Sequence, residues 1–433
     1  MRLAFTLLHR WFGLAIAAFL FVSGVTGAVI SWDHELDELL NPHLTEVSSR
    51  GPAIPSLELA RQIEARDPRV RATVIPLAAE PGESLEISVQ PRVDPSTGRL
   101  HEPGYNQVFV DPVSGAELGR REWGAAWPVT RENFVSFLYK LHYSLHVPEF
   151  WGIATWGQWL LGGVAILWTV DCFVGFYLTL PARHAPNPAR PAEVQRALQR
   201  GWWVRWKPAW RIKTSGSRYR LNFDIHRAFG LWTWGLLFVL AFTAFSLNLY
   251  REVFYPVMST VSQVTPSPFM TRAPVDRHKP IEPALGYAEI IDKGRNEAAR
   301  RGWTEPAGDV FYAQDYGVYG VRFFQPGDDH GAAGVGPASL YYDGQDGRLL
   351  GDLQPWKGTA ADIFVQAQFP VHSGRILGLP GRVLISVMGL VVAALSVTGV
   401  VIWVRKRAAR VAVRKGKSAR ASLASGPVAG PAE

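Results

Sequence analysis

The 433-residue chain contains one cysteine, Cys172, and only 19% of its residues are charged. A single cysteine excludes disulfide bonds, cysteine-based zinc sites and iron–sulfur clusters within one chain. Soluble domains carry roughly a quarter charged residues, so this chain is short of charge. Apolar residues make up 48% of it, including 17 tryptophans. This composition excludes a simple soluble enzyme, a disordered protein and a fibrous repeat.

Four apolar runs account for the shortage of charge. Runs 11–31, 228–250 and 383–404 carry no charged residue, and run 150–182 carries one, Asp171. A hydrocarbon core about 30 Å thick needs about 20 helical residues, and backbone groups in lipid must be hydrogen-bonded internally. We therefore predict four transmembrane helices. A carboxylate inside a span is a functional candidate by default, but Asp171 lies near one end of its run, so we favour the alternative that it reaches water or pairs with a cytoplasmic arginine.

The segments between the runs differ in charge. Segment 181–221 carries ten Lys and Arg and the tail after residue 404 carries eight, with one acidic residue in each. Segments 33–150 and 251–381 together carry 33 Asp and Glu against 23 Lys and Arg. Because basic loops stay in the cytoplasm, both termini are predicted there and the two long segments outside. The formal charge of +8 therefore reflects membrane topology, and no nucleic-acid partner is predicted.

The two halves of the chain repeat one pattern. The sequence His-Arg-x-Phe-Gly opens the first run at 9–13 and the third at 226–230. In each outer segment an aspartate, Asp111 or Asp343, precedes a glycine by four residues, which indicates a tight turn after a strand. We predict a membrane protein with an α-helical four-span bundle and two extracytoplasmic α+β domains, arranged as a tandem repeat.

The boundaries of the predicted segments follow from these changes in composition. A cleaved signal peptide would have no reason to share the repeated motif, so the N-terminal run is predicted to be an uncleaved span. In chain order the segments are span one at 1–32, outer domain one at 33–149, span two at 150–182, a basic and Trp-rich cytoplasmic loop at 183–225, span three at 226–250, outer domain two at 251–381, span four at 382–404, and a basic, disordered cytoplasmic tail at 405–433.

Four of the eleven histidines occupy equivalent places in the two halves. His9 and His226 begin spans one and three on the cytoplasmic side, and His142 and His372 precede spans two and four on the outer side. A b-type haem needs two imidazoles that face each other from different helices, and helix bundles provide such sites. One histidine at a membrane edge is more often an interfacial anchor. The matched quartet therefore carries the hypothesis of two haem sites.

Neighbouring residues fit this hypothesis. Gly13 and Gly230 lie four residues after the cytoplasmic-side histidines and on the same helix face, where a missing side chain leaves room for a porphyrin. Arg10, Arg227 and Arg375 lie close in sequence to the predicted ligands. Their guanidinium groups can pair with haem propionates.

The outer ligand has two candidates. His146 lies four residues after His142 and on the same helical face, so either could bind the iron. We favour His142, because its position before the span matches that of His372. Pro148 also indicates a break just after His146.

These motifs together resemble the PepSY-associated transmembrane family. The resemblance lies in residues 138–146 (LYKLHYSLH), the two His-Arg-x-Phe-Gly starts, the turn at 109–119 and residues 372–381, and it covers about 8–406. It implies a bacterial inner-membrane protein with four helices and two periplasmic PepSY domains. Family members characterised as siderophore reductases hold two b haems. By resemblance, His9 and His226 would hold the cytoplasmic-side haem, and His142 and His372 the periplasmic-side haem.

The expected function is electron transfer from the cytoplasmic side to a periplasmic acceptor, most simply ferric siderophore iron. Residues 331–336 only loosely resemble a dinucleotide loop, so we expect a quinol or a separate reductase to be the donor. The alternative is a non-enzymatic receptor or regulator whose PepSY domains bind a periplasmic peptide or protease. A permease subunit is a weaker alternative, because Asp171 is the one charge within the runs.

Overall fold

The structure is a computed structural model that describes residues 1–182, 191–328 and 330–424. Most of the described chain is helical. The helices are α1 Arg2–Ile30, α2 Asp33–Leu40, α3 Pro42–Thr45, α4 Ser56–Arg66, α5 Phe134–Ser144, α6 Trp156–Thr179, α7 Ala192–Gln199, α8 Trp202–Trp206, α9 Arg218–Trp232, α10 Trp234–Asn248, α11 Tyr255–Val261, α12 Pro268–Thr271, α13 Tyr287–Arg300, α14 Ala360–Gln366, α15 Gln368–Ser373 and α16 Leu379–Ala424.

The strands belong to one antiparallel sheet. They are β1 Val70–Pro76, β2 Leu85–Pro91, β3 Gln107–Val110, β4 Glu117–Arg121, β5 Ala307–Ala313, β6 Val318–Phe323, β7 Ala338–Asp343 and β8 Leu349–Leu353. The chain divides into two compact units. One comprises Met1–Ala28, Gly163–Phe242 and Val387–Glu433, and the other comprises Val29–Gly162 and Thr243–Ser386.

Among the described residues, three helices are long and apolar enough to cross a membrane: α1, α6 and the 379–414 part of α16. Helices α9 and α10 meet the same criteria only as a pair, and the pair is bent by 71°. The count is four if the bent pair is one span. The predicted third run is therefore two helices. They are separated at Thr233, whose hydroxyl donates to the Phe229 carbonyl at 2.7 Å, a type of bond that often bends helices.

The sheet lies in the unit formed by 29–162 and 243–386. Its strand order is β4-β3-β2-β1-β5-β6-β7-β8. Each half supplies one helix, α4 or α13, followed by four strands, and the buried core holds residues from both halves. The sequence predicted two outer α+β domains, one in each half. Pairing of β1 with β5 joins the strands of both halves into one sheet, and this removes two exposed strand edges.

The predicted turns are confirmed. The Gly115 N–H donates to the Asp111 carbonyl at 2.9 Å between β3 and β4, and the Gly347 N–H donates to the Asp343 carbonyl at 3.0 Å between β7 and β8. Both glycines have positive φ, 71° and 67°, a region that side chains disfavour.

The end of α16 differs from the prediction. The sequence predicted disorder for 405–433, whereas α16 continues to Ala424. Alanine, lysine and arginine are strong helix formers, which accounts for the continuation. Residues 425–433 lie outside the described residues, as do 183–190 of the predicted cytoplasmic loop.

In the other unit, α1 and α16 approach each other through small residues. A Cβ added to Gly389 would collide with the Gly24 carbonyl oxygen and lie 3.0 Å from the Ala28 Cβ. A Cβ added to Gly24 would lie 2.7 Å from the Gly389 carbonyl oxygen. Small residues allow such close backbone contact between helices in lipid. Any larger side chain at these positions would force α1 and α16 apart.

Replacing Gly389 by valine should therefore destabilise the protein. Overpacking of this kind costs about 1–3 kcal/mol. We expect Gly389→Val to lower the thermal unfolding temperature in detergent, followed by circular dichroism. The matched control is Gly235→Val, because Gly235 is exposed and has no atom within 4 Å of its Cβ position. Equal unfolding temperatures for the two variants would contradict the close α1–α16 contact.

Candidate functional site

The four repeat-equivalent histidines form two pairs. His9 of α1 and His226 of α9 lie in the unit that contains the α1–α16 contact, with ring centroids 6.2 Å apart and ring planes at 52°. His142 of α5 and His372 of α15 lie in the unit that contains the sheet, with centroids 6.2 Å apart and planes at 54°. The two pairs, built on different helices, thus have nearly the same geometry.

This separation suits two ligands of one metal ion. An imidazole nitrogen lies about 2 Å from a first-row metal that it binds, and the ring centroid lies roughly 1 Å further away, so imidazoles on opposite sides of one ion have centroids about 6 Å apart. A tetrahedral zinc ion would still need two more protein ligands. A haem iron already has four porphyrin nitrogens and needs only two axial ligands. The pairs therefore fit haem better than a bare ion.

Hydrogen bonds orient the first pair. The Nδ1 of His9 lies 3.0 Å from both carboxylate oxygens of Asp171, a buried residue of α6. An ionised carboxylate has no proton to donate, so Nδ1 donates, and in the neutral imidazole Nε2 then keeps its lone pair. The Nδ1 of His226 lies 2.9 Å from Oγ1 of Thr398. Because that hydroxyl donates to the Ala394 carbonyl at 2.7 Å, it accepts from His226, and Nε2 again keeps its lone pair.

The second pair has a related arrangement. The Nδ1 of His372 lies 2.9 Å from Oγ1 of Thr243. Tyr139 and Tyr143 accompany His142 on α5, and burial raises the pKa of both phenols, so they stay protonated at neutral pH.

A cavity of about 550 Å³ surrounds the first pair. His9, His226, Gly13 and Gly230 line it, together with apolar side chains from α1, α6, α10 and α16. A Cβ added to Gly13 would have no atom within 4 Å, so this glycine borders open space, as the sequence predicted. A flat macrocycle can occupy such a space only where side chains are missing.

Two further glycines touch the imidazoles themselves. A Cβ added to Gly175 would lie 3.5 Å from Cε1 of His9, and one added to Gly399 would lie 3.2 Å from Cε1 of His226. Because Gly399 has no side chain, the His226 ring can lie against α16 at this point. Neither glycine was expected from the sequence, because their contacts depend on how α6 and α16 are rotated.

The charge around the cavity is mainly positive. Among the described residues that line it, Asp171 is the single acidic residue, and the basic ones are Arg2, Arg10, Arg227, Lys406 and Arg410. An anionic group suits this lining, and haem brings two propionates. Asp171 was expected to reach water or an arginine. It is instead bonded to His9, which makes it the main site residue that sequence reasoning missed.

The predicted arginines have different surroundings. Arg10 lines the cavity. Arg227 lines it too, but its Nη2 donates to Asp224 at 2.8 Å, and its Nε is buried with no hydrogen-bond partner among the described residues. Arg375 donates to Asp33 at 3.2 Å, so part of its hydrogen-bonding capacity is used within the protein.

The structure separates the two candidates for the outer ligand. His142 lies opposite His372. His146 follows the end of α5 with φ of 51°, its ring stacks on Phe137 at 4.6 Å, and its Nε2 lies 2.9 Å from the Phe137 carbonyl. The expectation that both histidines share one helical face is wrong, because α5 ends at Ser144 and the chain turns there.

Long apolar helices and a histidine-lined cavity within them define an integral membrane protein. The family model described as the PepSY-associated TM region matches residues 6–406, nearly the whole chain, so the chain belongs to this family. No curated protein matches it significantly.

Proposed function

We propose that this protein is a two-haem electron carrier of the bacterial inner membrane that delivers electrons to a periplasmic acceptor. The observation that carries the proposal is the recurrence of one imidazole separation, 6.2 Å, in two histidine pairs. Chance contacts between membrane-edge histidines would have no reason to repeat this distance and nearly the same tilt. The proposal includes four spans, with α9 and α10 as one broken span, and a tandem repeat of the PepSY type.

Each part of the proposed sites has a task. Nε2 of His9 and of His226 would bind one iron, and His142 with His372 would bind the other. Haem b would supply iron that accepts and releases single electrons. The glycines leave space for the ring, and the basic residues Arg2, Arg10 and Lys406 offer charge to propionates. Apolar side chains from the helices make up most of the cavity lining.

The direction of transfer follows from the predicted topology. The basic segments 191–221 and 405–414 would lie in the cytoplasm, so the His9 pair would be on the donor side and the His142 pair on the acceptor side. A quinol or a separate reductase would be the donor. Both termini would be cytoplasmic.

Ferric iron in a siderophore is the acceptor that we favour. Hard oxygen ligands bind the more highly charged ferric ion better than the ferrous ion. Transfer of one electron to the chelated iron would therefore weaken its binding and release it without breaking the chelator. In this role the protein would serve iron uptake.

The first test is the visible absorption of the detergent-purified protein, expressed with ample haem supply, before and after reduction with dithionite. We expect sharp α and β bands on reduction and about two b haems per chain in a pyridine haemochrome assay, as bis-histidine ligation predicts. A colourless protein would overturn the proposal. The protein would then be a non-enzymatic receptor or regulator, and the domain that contains the sheet would bind a periplasmic peptide or protease.

Single histidine variants test the assignment of ligands. His9→Ala and His372→Ala should each lower the haem content from about two to about one per chain, because each removes one axial ligand. The control is His146→Ala, which should keep both haems because its Nε2 contacts the Phe137 carbonyl. Loss of one haem in His146→Ala with none lost in His142→Ala would reverse the assignment.

Gly399→Leu tests the shape of the first site without touching a ligand. Its side chain would enter the space 3.2 Å from Cε1 of His226 and displace the ring. We expect the haem content to fall by about half, as after loss of one axial ligand. Gly235→Leu is the size-matched control and should keep full haem content, since its Cβ has no neighbour within 4 Å. Full haem content in Gly399→Leu would show that the ring does not need this space.

A further inference from the structure

One feature distinguishes His9 from His226 and His372. Its Nδ1 is bonded to a carboxylate, with both oxygens of Asp171 at 3.0 Å. The Asp171 side chain is only 10% exposed and lies on α6, within a run that has no other charged residue. A buried charge in a membrane span is costly, and such residues are usually functional. The contact between Asp171 and the predicted ligand His9 therefore indicates a functional role for Asp171.

The partners of two other ligands are uncharged. Nδ1 of His226 contacts the Thr398 hydroxyl at 2.9 Å, and Nδ1 of His372 contacts the Thr243 hydroxyl at the same distance. Of the three histidines His9, His226 and His372, only His9 has a negatively charged partner at Nδ1 among the described residues.

A carboxylate partner changes what an imidazole does to a metal. It draws the Nδ1 proton towards itself, which increases electron density on Nε2 and the basicity of the ligand. It also fixes the ring orientation and the tautomer. A more basic ligand stabilises ferric iron relative to ferrous iron, so the reduction potential falls. Burial strengthens the effect, because little solvent screens the charge.

We propose that Asp171 is a positioning residue for His9 that holds Nε2 towards the cavity and lowers the reduction potential of the group bound between His9 and His226. The inference rests on the proposed function, because it assigns a task within the first of the two haem sites. The first site becomes the lower-potential site, and the His142–His372 pair becomes the higher-potential one.

The consequence is a direction for the internal step. Haem held by the two pairs would supply the one-electron chemistry, and the iron between His9 and His226 would be oxidised as the iron between His142 and His372 is reduced. No proton or further reactant would be needed for the balance. The basic residues around the cavity act in the opposite sense on the potential, but among the described residues Asp171 is the only charged one bonded to a ligand of the first pair.

The test is a potentiometric titration of the purified protein, followed by the reduced α band, at fixed pH. In wild type we expect two one-electron waves. Asp171→Asn keeps the shape of the side chain but removes its charge, so the lower wave should shift to higher potential while the other stays. Asp171→Glu, which restores the charge, should move the shifted wave back. Thr398→Val is the neutral control and should move the lower wave less than Asp171→Asn.

A second measurement leaves Asp171 in place, in case Asp171→Asn fails to assemble. His372→Ala should retain only the first site and His9→Ala only the second. We expect the remaining wave of His372→Ala at the lower potential. A higher potential there, or an unmoved wave in Asp171→Asn, would overturn the inference. Protein without haem would instead defeat the proposed function, so the two failures are distinct.

Discussion

The close contact between α1 and α16 is the constraint on which the first histidine site depends. Gly24 and Gly389 let the two backbones meet almost without side chains between them. Helix α1 supplies His9, and α16 supplies Thr398 and Gly399, which hold and accommodate the His226 ring. The bond from His226 to Thr398 requires α16 to lie where this contact puts it. Small residues far from the site therefore determine the orientation of its ligands.

The sheet follows a different constraint, the need to pair strand edges. Within each half, β1 or β5 lies at the end of the strand order and one of its edges has no partner. Pairing of β1 with β5 covers both edges and produces one eight-stranded sheet. Its outer strands, β4 and β8, remain as edges. Both are short, five residues each, and natural sheets commonly limit exposed edges in this way.

Sequence reasoning found what depends on spacing along the chain. The apolar runs, the Asp-to-Gly turns and the partnering of the four histidines as two pairs follow from periodicity and from the internal repeat. It missed what depends on the rotation and packing of helices. Asp171 was visible as the one charge in its run, but nothing in the sequence showed that it would face His9 and not water. The joining of strands from both halves into one sheet likewise needs contacts between distant segments.

The two sites share one imidazole separation, and their hydrogen-bond partners explain how they can differ. Each pair joins one histidine from each half of the chain, with ring centroids 6.2 Å apart. The hydrogen-bond partners come from other helices and are not matched: a carboxylate for His9, and hydroxyls for His226 and His372. Two sites with identical surroundings would have equal affinity for an electron and no preferred direction. Under the proposed function, one buried acid in one span would break that equality, because the Asp171 side chain is only 10% exposed and its charge would act through the ligand.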